Sequence, residues 1–305
     1  MTVTFSNNSR HDSNNTASIA QGLISPPNPS HTLPLSRKII FRDSVLYNLI
    51  VGTFPIIIVL FYLFFVPSMG VDFTLLYPAG QAVWQGQNPY TAAPMFFNPP
   101  WALFILTPLS IFPIQIARWI WFTLGAIAYL FIFHRLKLSQ WGRVALLLSP
   151  FIYFDLGIGN MDWLVMLGLV LPESIGAWLI TLKPQFSVII FILWVKQRKY
   201  IVLIPFAILG MLVIFQVWQL PNITDKPWNA SIFPYGIPIG LWLGWQAYKQ
   251  DDKILALAAM PFLSPYLAFQ SWVFALLPLS RQRWYWMVSG LILSWVGAYL
   301  FFNFR

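Results

Sequence analysis

The acids of this chain number nine: Asp12, Asp43, Asp72, Asp155, Asp162, Glu173, Asp225, Asp251 and Asp252. Cysteine is absent, which excludes disulfides, thiol nucleophiles and thiolate metal sites. Of the three histidines, His11 and His31 fall in a polar leading stretch and His134 stands beside Arg135. No histidine is placed to act as a base near Asp72, so His-dependent triads and zinc motifs are excluded in the membrane domain. Acid–base chemistry must draw on the nine acids, or on Tyr and Lys. Asp72 is the lone carboxylate of residues 71–100, VDFTLLYPAGQAVWQGQNPYTAAPMFFNPP, a stretch without Lys or Arg between two long apolar regions. An acid at the mouth of a bundle of membrane helices is where chemistry is expected first. A helix cap is the other reading, because Asp accepts from the first free N–H groups of a helix such as FTLLYPAGQAVWQ. The two readings are compatible.

Further polar residues stand in apolar surroundings. Lys183 precedes Pro184 inside an apolar run. A buried ammonium needs an acid, a carbonyl or an anionic ligand. Lys183 is therefore a structural partner of Glu173, a lysine that snorkels to an interface, or an anion-binding group. Arg118 is flanked by apolar residues near one end of its run, as an interfacial anchor or an anion contact. Asn160 and Asp162 share the short turn LGIGNMD, where a helix cap is the plainer role. Asp155 reads as a polar contact within the bundle. Tyr77, Asn88 and Tyr90 either bind a ligand or order the 71–100 stretch.

These residues need elements to position them, and composition says which. The 305 residues are 58% hydrophobic and only 9% charged, with a mean hydropathy of +0.67. Soluble domains carry about 25% charged residues. Several apolar runs of about 20 residues define an all-α polytopic membrane protein. The net charge of +9 lies in short clusters between those runs. That is the pattern of cytoplasmic loops facing anionic lipid, and not of a nucleic-acid-binding protein.

Residues 1–36, rich in Asn, Ser, Thr and Pro, read as a disordered tail rather than a signal peptide. Arg37, Lys38 and Arg42 precede the first span, over 45–66, and place the N-terminus in the cytoplasm. Residues 37–305 form one membrane domain, with 67–100 its long first extracytoplasmic loop. Residues 101–112 lie at the outer surface or partly re-enter. Crossings follow over 115–134 and 144–157. Residues 163–195, broken by Pro172 and Pro184, make one interrupted crossing or three short ones. Crossings over 200–217 and 231–248 flank the outer loop WQLPNITDKPWNAS. A hairpin of two short helices turns at Ser264-Pro265, and 284–303 is the last span. The total is about nine crossings, or about eleven if 163–195 makes three. Trp84, Trp101, Trp119, Trp141, Trp218 and Trp228 suit an interfacial belt.

Spaced residues of the first loop carry a family resemblance. Asp72-Phe73, Tyr77-Pro78-Ala79-Gly80, Gly86-Gln87-Asn88-Pro89-Tyr90 and Phe97-Asn98-Pro99-Pro100 occur in order. Gly159-Asn160-Met161-Asp162, Lys183-Pro184-Gln185 and Ser264-Pro265 follow. Over about residues 45–280 the chain resembles glycosyltransferase family 87, polyprenol-phosphate-dependent mannosyltransferase-like membrane enzymes of the GT-C type. It departs in having Asn160 where the family has Gln, and Tyr266 and Gln270 where some relatives carry His. It also lacks the basic loop found between the Gly-Gln and Lys-Pro helices.

The resemblance implies a GT-C-like bundle, with several helices short or broken, in the plasma membrane. It implies transfer of a hexose, such as mannose, from a polyprenyl-phosphate donor to a lipid or glycan acceptor. The reaction would be extracytoplasmic and inverting, with no metal or other cofactor. Asp72 would be the catalytic base, and Lys183 and Arg118 would hold the donor phosphate. Tyr77, Asn88, Tyr90, Asn160 and Asp162 would bind substrate. The rival readings are a transporter or lipid flippase, and a non-catalytic scaffold of the same fold.

Overall fold

A computed structural model describes Thr53, residues 70–214, Lys226 and residues 228–303. The tail expected over 1–36, the basic residues Arg37, Lys38 and Arg42, and the first span over 45–66 (Thr53 apart) lie outside the described residues. So do Trp218, Asp225 and Arg305. All regular structure among the described residues is helical, and a single isolated bridge pairs Asn229 with Ala268.

Proline and glycine cut the chain into short pieces. Helix α1, Val71–Trp84, starts beyond Gly70, whose φ of 83° is left-handed. Helix α2, Pro89–Ala92, starts on a proline behind Asn88. A 3-10 turn at Pro100–Ala102 leads into α3, Leu103–Leu109. Pro113 then opens the 22-residue α4, Ile114–Arg135. Ser139 caps α5, Gln140–Leu147, by accepting from the Gly142 amide at 3.0 Å. Helix α6, Pro150–Ile158, begins on a proline and stops at Gly159. Three short helices follow: α7, Asp162–Val170; α8, Glu173–Ile180; and α9, Val188–Lys196, after a 3-10 turn at Pro184–Phe186. Helix α10 is Leu203–Ile214 and α11 is Ile237–Gln250. Asp252 caps α12, Lys253–Leu263. A 3-10 turn at Phe269–Trp272 leads to α13, Val273–Leu276, and the last helix is α14, Trp284–Asn303. Proline lacks an N–H and fixes φ, so it is tolerated in a first turn and ends the helix before it.

Two described helices, α4 and α14, are long and apolar enough to cross a membrane, and the pair α5 and α6, bent by 51°, counts as a third if it is one span. At 1.5 Å per residue α4 and α14 reach about 30 Å, the thickness of a hydrocarbon core. The chain is thus a helical membrane protein. The expected crossings over 115–134, 144–157 and 284–303 coincide with these helices. Among the described residues, long helices do not supply the nine to eleven crossings. Over 163–195, 200–217, 231–248 and 254–279 the described pieces run to no more than 15 residues, as in Tyr200–Ile214, about 22 Å.

Close contacts fix the parts that matter for the site. Gly159 has φ 76°, and a Cβ there would lie 2.7 Å from the Phe73 Cβ, so the turn after α6 can sit directly on the start of α1. The Gly70 amide donates to the Gly157 carbonyl at 2.8 Å. Trp121 of α4 donates from Nε1 to the Gly159 carbonyl at 3.0 Å, and its ring packs on Phe73 and Trp163. Gly168 and Gly176 let α7 and α8 meet backbone to backbone; a Cβ on Gly176 would fall 2.2 Å from the Gly168 carbonyl oxygen.

Candidate functional site

Asp72 sits in the first turn of α1, where its charge complements the positive helix end. The N-cap is Gly70, not Asp72, so the capping role is not what this side chain performs. Asp72 Oδ2 instead accepts from Asn160 Nδ2 at 2.5 Å. Asn160 Oδ1 accepts from Lys183 Nζ at 2.6 Å and from the Met161 amide at 2.6 Å. Lys183 also donates to Asp162 Oδ1, forming a salt bridge with the fully buried carboxylate. Ser271 Oγ donates to Asp162 Oδ2 at 2.6 Å. One continuous chain of hydrogen bonds therefore runs Asp72, Asn160, Lys183, Asp162, Ser271. It gathers the start of α1, the turn before α7, the break before α9 and the 3-10 turn before α13.

A second layer lies behind it. Asp155 Oδ1 accepts from the Asp162 amide at 3.3 Å, and Asp155 Oδ2 accepts from the Tyr129 hydroxyl at 2.6 Å. Asp155 and Tyr129 are both fully buried. Asp155 is the contact within the bundle expected of it. Asp162 is not an N-cap, since Met161 holds that position and the carboxylate is shared by Lys183 and Ser271. The expected pairing of Lys183 with Glu173 gives way to Asp162. Glu173 is instead bonded by Lys199 and by Lys253, the latter at 2.7 Å.

Asp72 lies outside the candidate spans. Burial pushes its carboxyl above the ordinary 3.8; the Asn160 hydrogen bond and the Lys183 charge oppose that rise, and the Asp162 charge adds to it. Tyr266, in the turn after α12, is pushed up to about 12 by burial first and then by the Asp72 charge; a hydrogen bond from Trp228 opposes the rise and the Asp162 charge adds to it. Tyr266 therefore keeps its hydroxyl proton at neutral pH.

The other expected site residues are elsewhere. Arg118 Nη2 donates to Thr74 Oγ1 at 2.5 Å, its Nε is buried without a partner, and it makes no hydrogen bond to the Asp72 chain. Tyr77 donates to the Phe112 carbonyl at 2.7 Å. Asn88 caps α2 by accepting from the Tyr90 amide at 2.9 Å. Tyr90 donates to the Asn98 carbonyl at 3.0 Å. These three side chains order the loop. The loop in turn holds the cation, because Asn98 Nδ2 donates to the carbonyl of Leu182, next to Lys183, at 3.3 Å. Trp101 Nε1 adds a bond to the Trp178 carbonyl at 3.0 Å.

Ser271 and Tyr129 were not anticipated. Each is a single polar residue in an apolar run, with no spacing signal. Among the described residues, no group of three His, Cys, Asp or Glu side chains is placed to hold a metal ion. No protein-family model matches the chain, and no curated protein or solved structure matches it.

Proposed function

We propose that the chain is a membrane glycosyltransferase of GT-C-like architecture, its short helices crossing the bilayer in broken pairs. It moves a hexose from a polyprenyl phosphate to a hydroxyl of a lipid or glycan. The observation that carries this reading is the hydrogen-bonded chain joining a raised carboxyl, Asp72, through Asn160 to the ammonium of Lys183. A base works best when its pKa lies close to the working pH, and burial moves Asp72 in that direction. Asp72 takes the proton of the acceptor hydroxyl as its oxygen attacks the anomeric carbon. The bond from that carbon to the phosphate oxygen breaks, and its electron pair leaves with the phosphate. Lys183 keeps Asp162 as counter-ion and turns its one remaining N–H to the departing phosphate. Asn160 holds base and cation in register. Arg118, whose Nη2 is bonded to Thr74, keeps further N–H groups with which to meet the phosphate. The donor tail lies in the bilayer, and the site faces the extracytoplasmic side.

A second reading, a cation-coupled transporter, is favoured by one observation. The cluster gathers three carboxylates, Asp72, Asp155 and Asp162, against the single ammonium of Lys183. Buried carboxylates in excess carry protons or cations in transporters. One experiment separates the two. The full chain in vesicles is given a radiolabelled polyprenyl-phosphate sugar and, in parallel, a pH gradient. Transfer of label to an acceptor supports the enzyme; solute or proton movement without transfer supports the transporter.

A further inference from the structure

The C-terminal ends of α9 and α11 are tied into one junction that neither reading of the Asp72 cluster uses. Lys196 Nζ donates to the Tyr248 carbonyl at 2.5 Å, pairs with Asp251 at 3.0 Å and lies 4.5 Å from the centroid of the Tyr248 ring. Gln197 Nε2 donates to Asp251 Oδ1 at 3.4 Å. Lys199 and Lys253 share Glu173. The junction thus sets Lys196, Arg198, Lys199, Lys249 and Lys253 against two acids, Glu173 and Asp251. Arg198 and Lys249 are exposed and form no salt bridge among the described residues. Arg198 also has φ 57°, the left-handed backbone past a helix end that glycine adopts with least strain. Asp251 takes the same backbone past α11, at φ 53°, and its salt bridge to Lys196 accounts for a charge there. No such bond accounts for Arg198, and the negative end of α9 is already met by Lys196 in its last turn.

Each helix carries an exposed apolar stripe that leads up to these cations. Val188, Ile192 and Val195 stand at i, i+4 and i+7 on α9, and Leu241, Trp245 and Tyr248 repeat that spacing on α11. The helices touch at Gly244, where a Cβ would lie 3.3 Å from Ile189 Cδ1. Lys249 Nζ lies 4.9 Å from the centroid of the Trp245 ring, at the head of the α11 stripe. Two apolar stripes that end together in unpaired cations match a phospholipid, tails first and phosphate last.

We propose that the junction of α9 and α11 is a binding site for one anionic phospholipid. Its phosphodiester meets Arg198 and Lys249, and its acyl chains lie along the two stripes. A soluble phosphate would satisfy the cations but leave the stripes uncovered. The site is separate from the Asp72 cluster and does not depend on sugar transfer.

The test is lipid retention by the full chain in detergent, read by native mass spectrometry. The wild type should hold one phosphatidylglycerol, and phosphatidylcholine with the same acyl chains about tenfold more weakly. Arg198→Gly suits the backbone while removing the charge. It should not lower the unfolding temperature, and should weaken phosphatidylglycerol binding about fivefold. Lys249→Gln should weaken it by a similar factor, and the double variant by about 25-fold. Lys137→Gly makes the same change past the end of α4, where φ is 52°, and should leave binding unchanged. Free sn-glycerol 3-phosphate should not displace the lipid. Equal retention of the two lipids overturns the site, as does full retention by the folded double variant. An equal loss in Lys137→Gly overturns it too, by reducing the effect to total charge. Displacement by glycerol phosphate does so by assigning the cations to a soluble phosphate.

Discussion

Two ionic clusters of this molecule have opposite designs. The first joins Glu173 to Lys199 and Lys253, Asp251 to Lys196 at 3.0 Å, and Asp252 to Arg281 at 2.5 Å. It gathers residues from three basic loops, supplies at least one cation for each acid, and leaves most of its side chains a quarter or more exposed. The second buries Asp155 and Asp162 fully, leaves Lys183 12% exposed, and sets three carboxylates against one ammonium. Charge balance at an exposed site describes an assembly that holds loop ends together. Charge imbalance in a buried site is costly to keep, and such costs concentrate where a ligand or a proton completes the arrangement.

The contrast makes graded predictions. Replacing Asp162 by Ala leaves Lys183 without its counter-ion in a buried place, and should cost about 3–5 kcal/mol of stability. Thermal unfolding in detergent measures it, and a loss below 1 kcal/mol would make the two clusters alike. Tyr129→Phe strands one oxygen of the buried Asp155 and should cost about 1.5–3 kcal/mol, read in the same assay. Lys183→Met removes a charge that lowers the Asp72 pKa, so Asp72 should titrate still higher. The base must be ionised to act, so transfer is lost as pH falls through its pKa. The acid limb of the pH–rate profile should therefore move to higher pH in that variant; an unmoved limb would separate Lys183 from Asp72. Glu173→Gln in the exposed cluster should cost no more than about 1 kcal/mol, and less at high salt.

The same contrast shows what the sequence made legible. Asp72 stood out because its stretch holds no other charge, and LGIGNMD because it packs Asn160 and Asp162 between apolar runs. The structure brings both to Lys183. From the residues alone Lys183 stays open between a pair with Glu173, an interfacial snorkel and an anion contact; the structure pairs it with Asp162. Ser271 and Tyr129 could not be selected from their own surroundings, since only tertiary packing brings them to the carboxylates. The long helices α4 and α14 were readable from hydropathy. The breaks at Pro172, Pro184 and Ser264-Pro265 were readable too, but proline sets where each helix stops and not how the pieces stack.

The central claim is that Asp72 is a base held by Asn160 beside Lys183. The most direct measurement is transfer of radiolabelled sugar from a polyprenyl-phosphate donor by the full chain in vesicles, comparing the wild type with Asp72→Asn at equal abundance. The substitution keeps the shape and removes the base. Transfer by the wild type and a rate about 10²–10⁴ lower in the variant is the result predicted. Equal transfer by the two proteins would contradict the account.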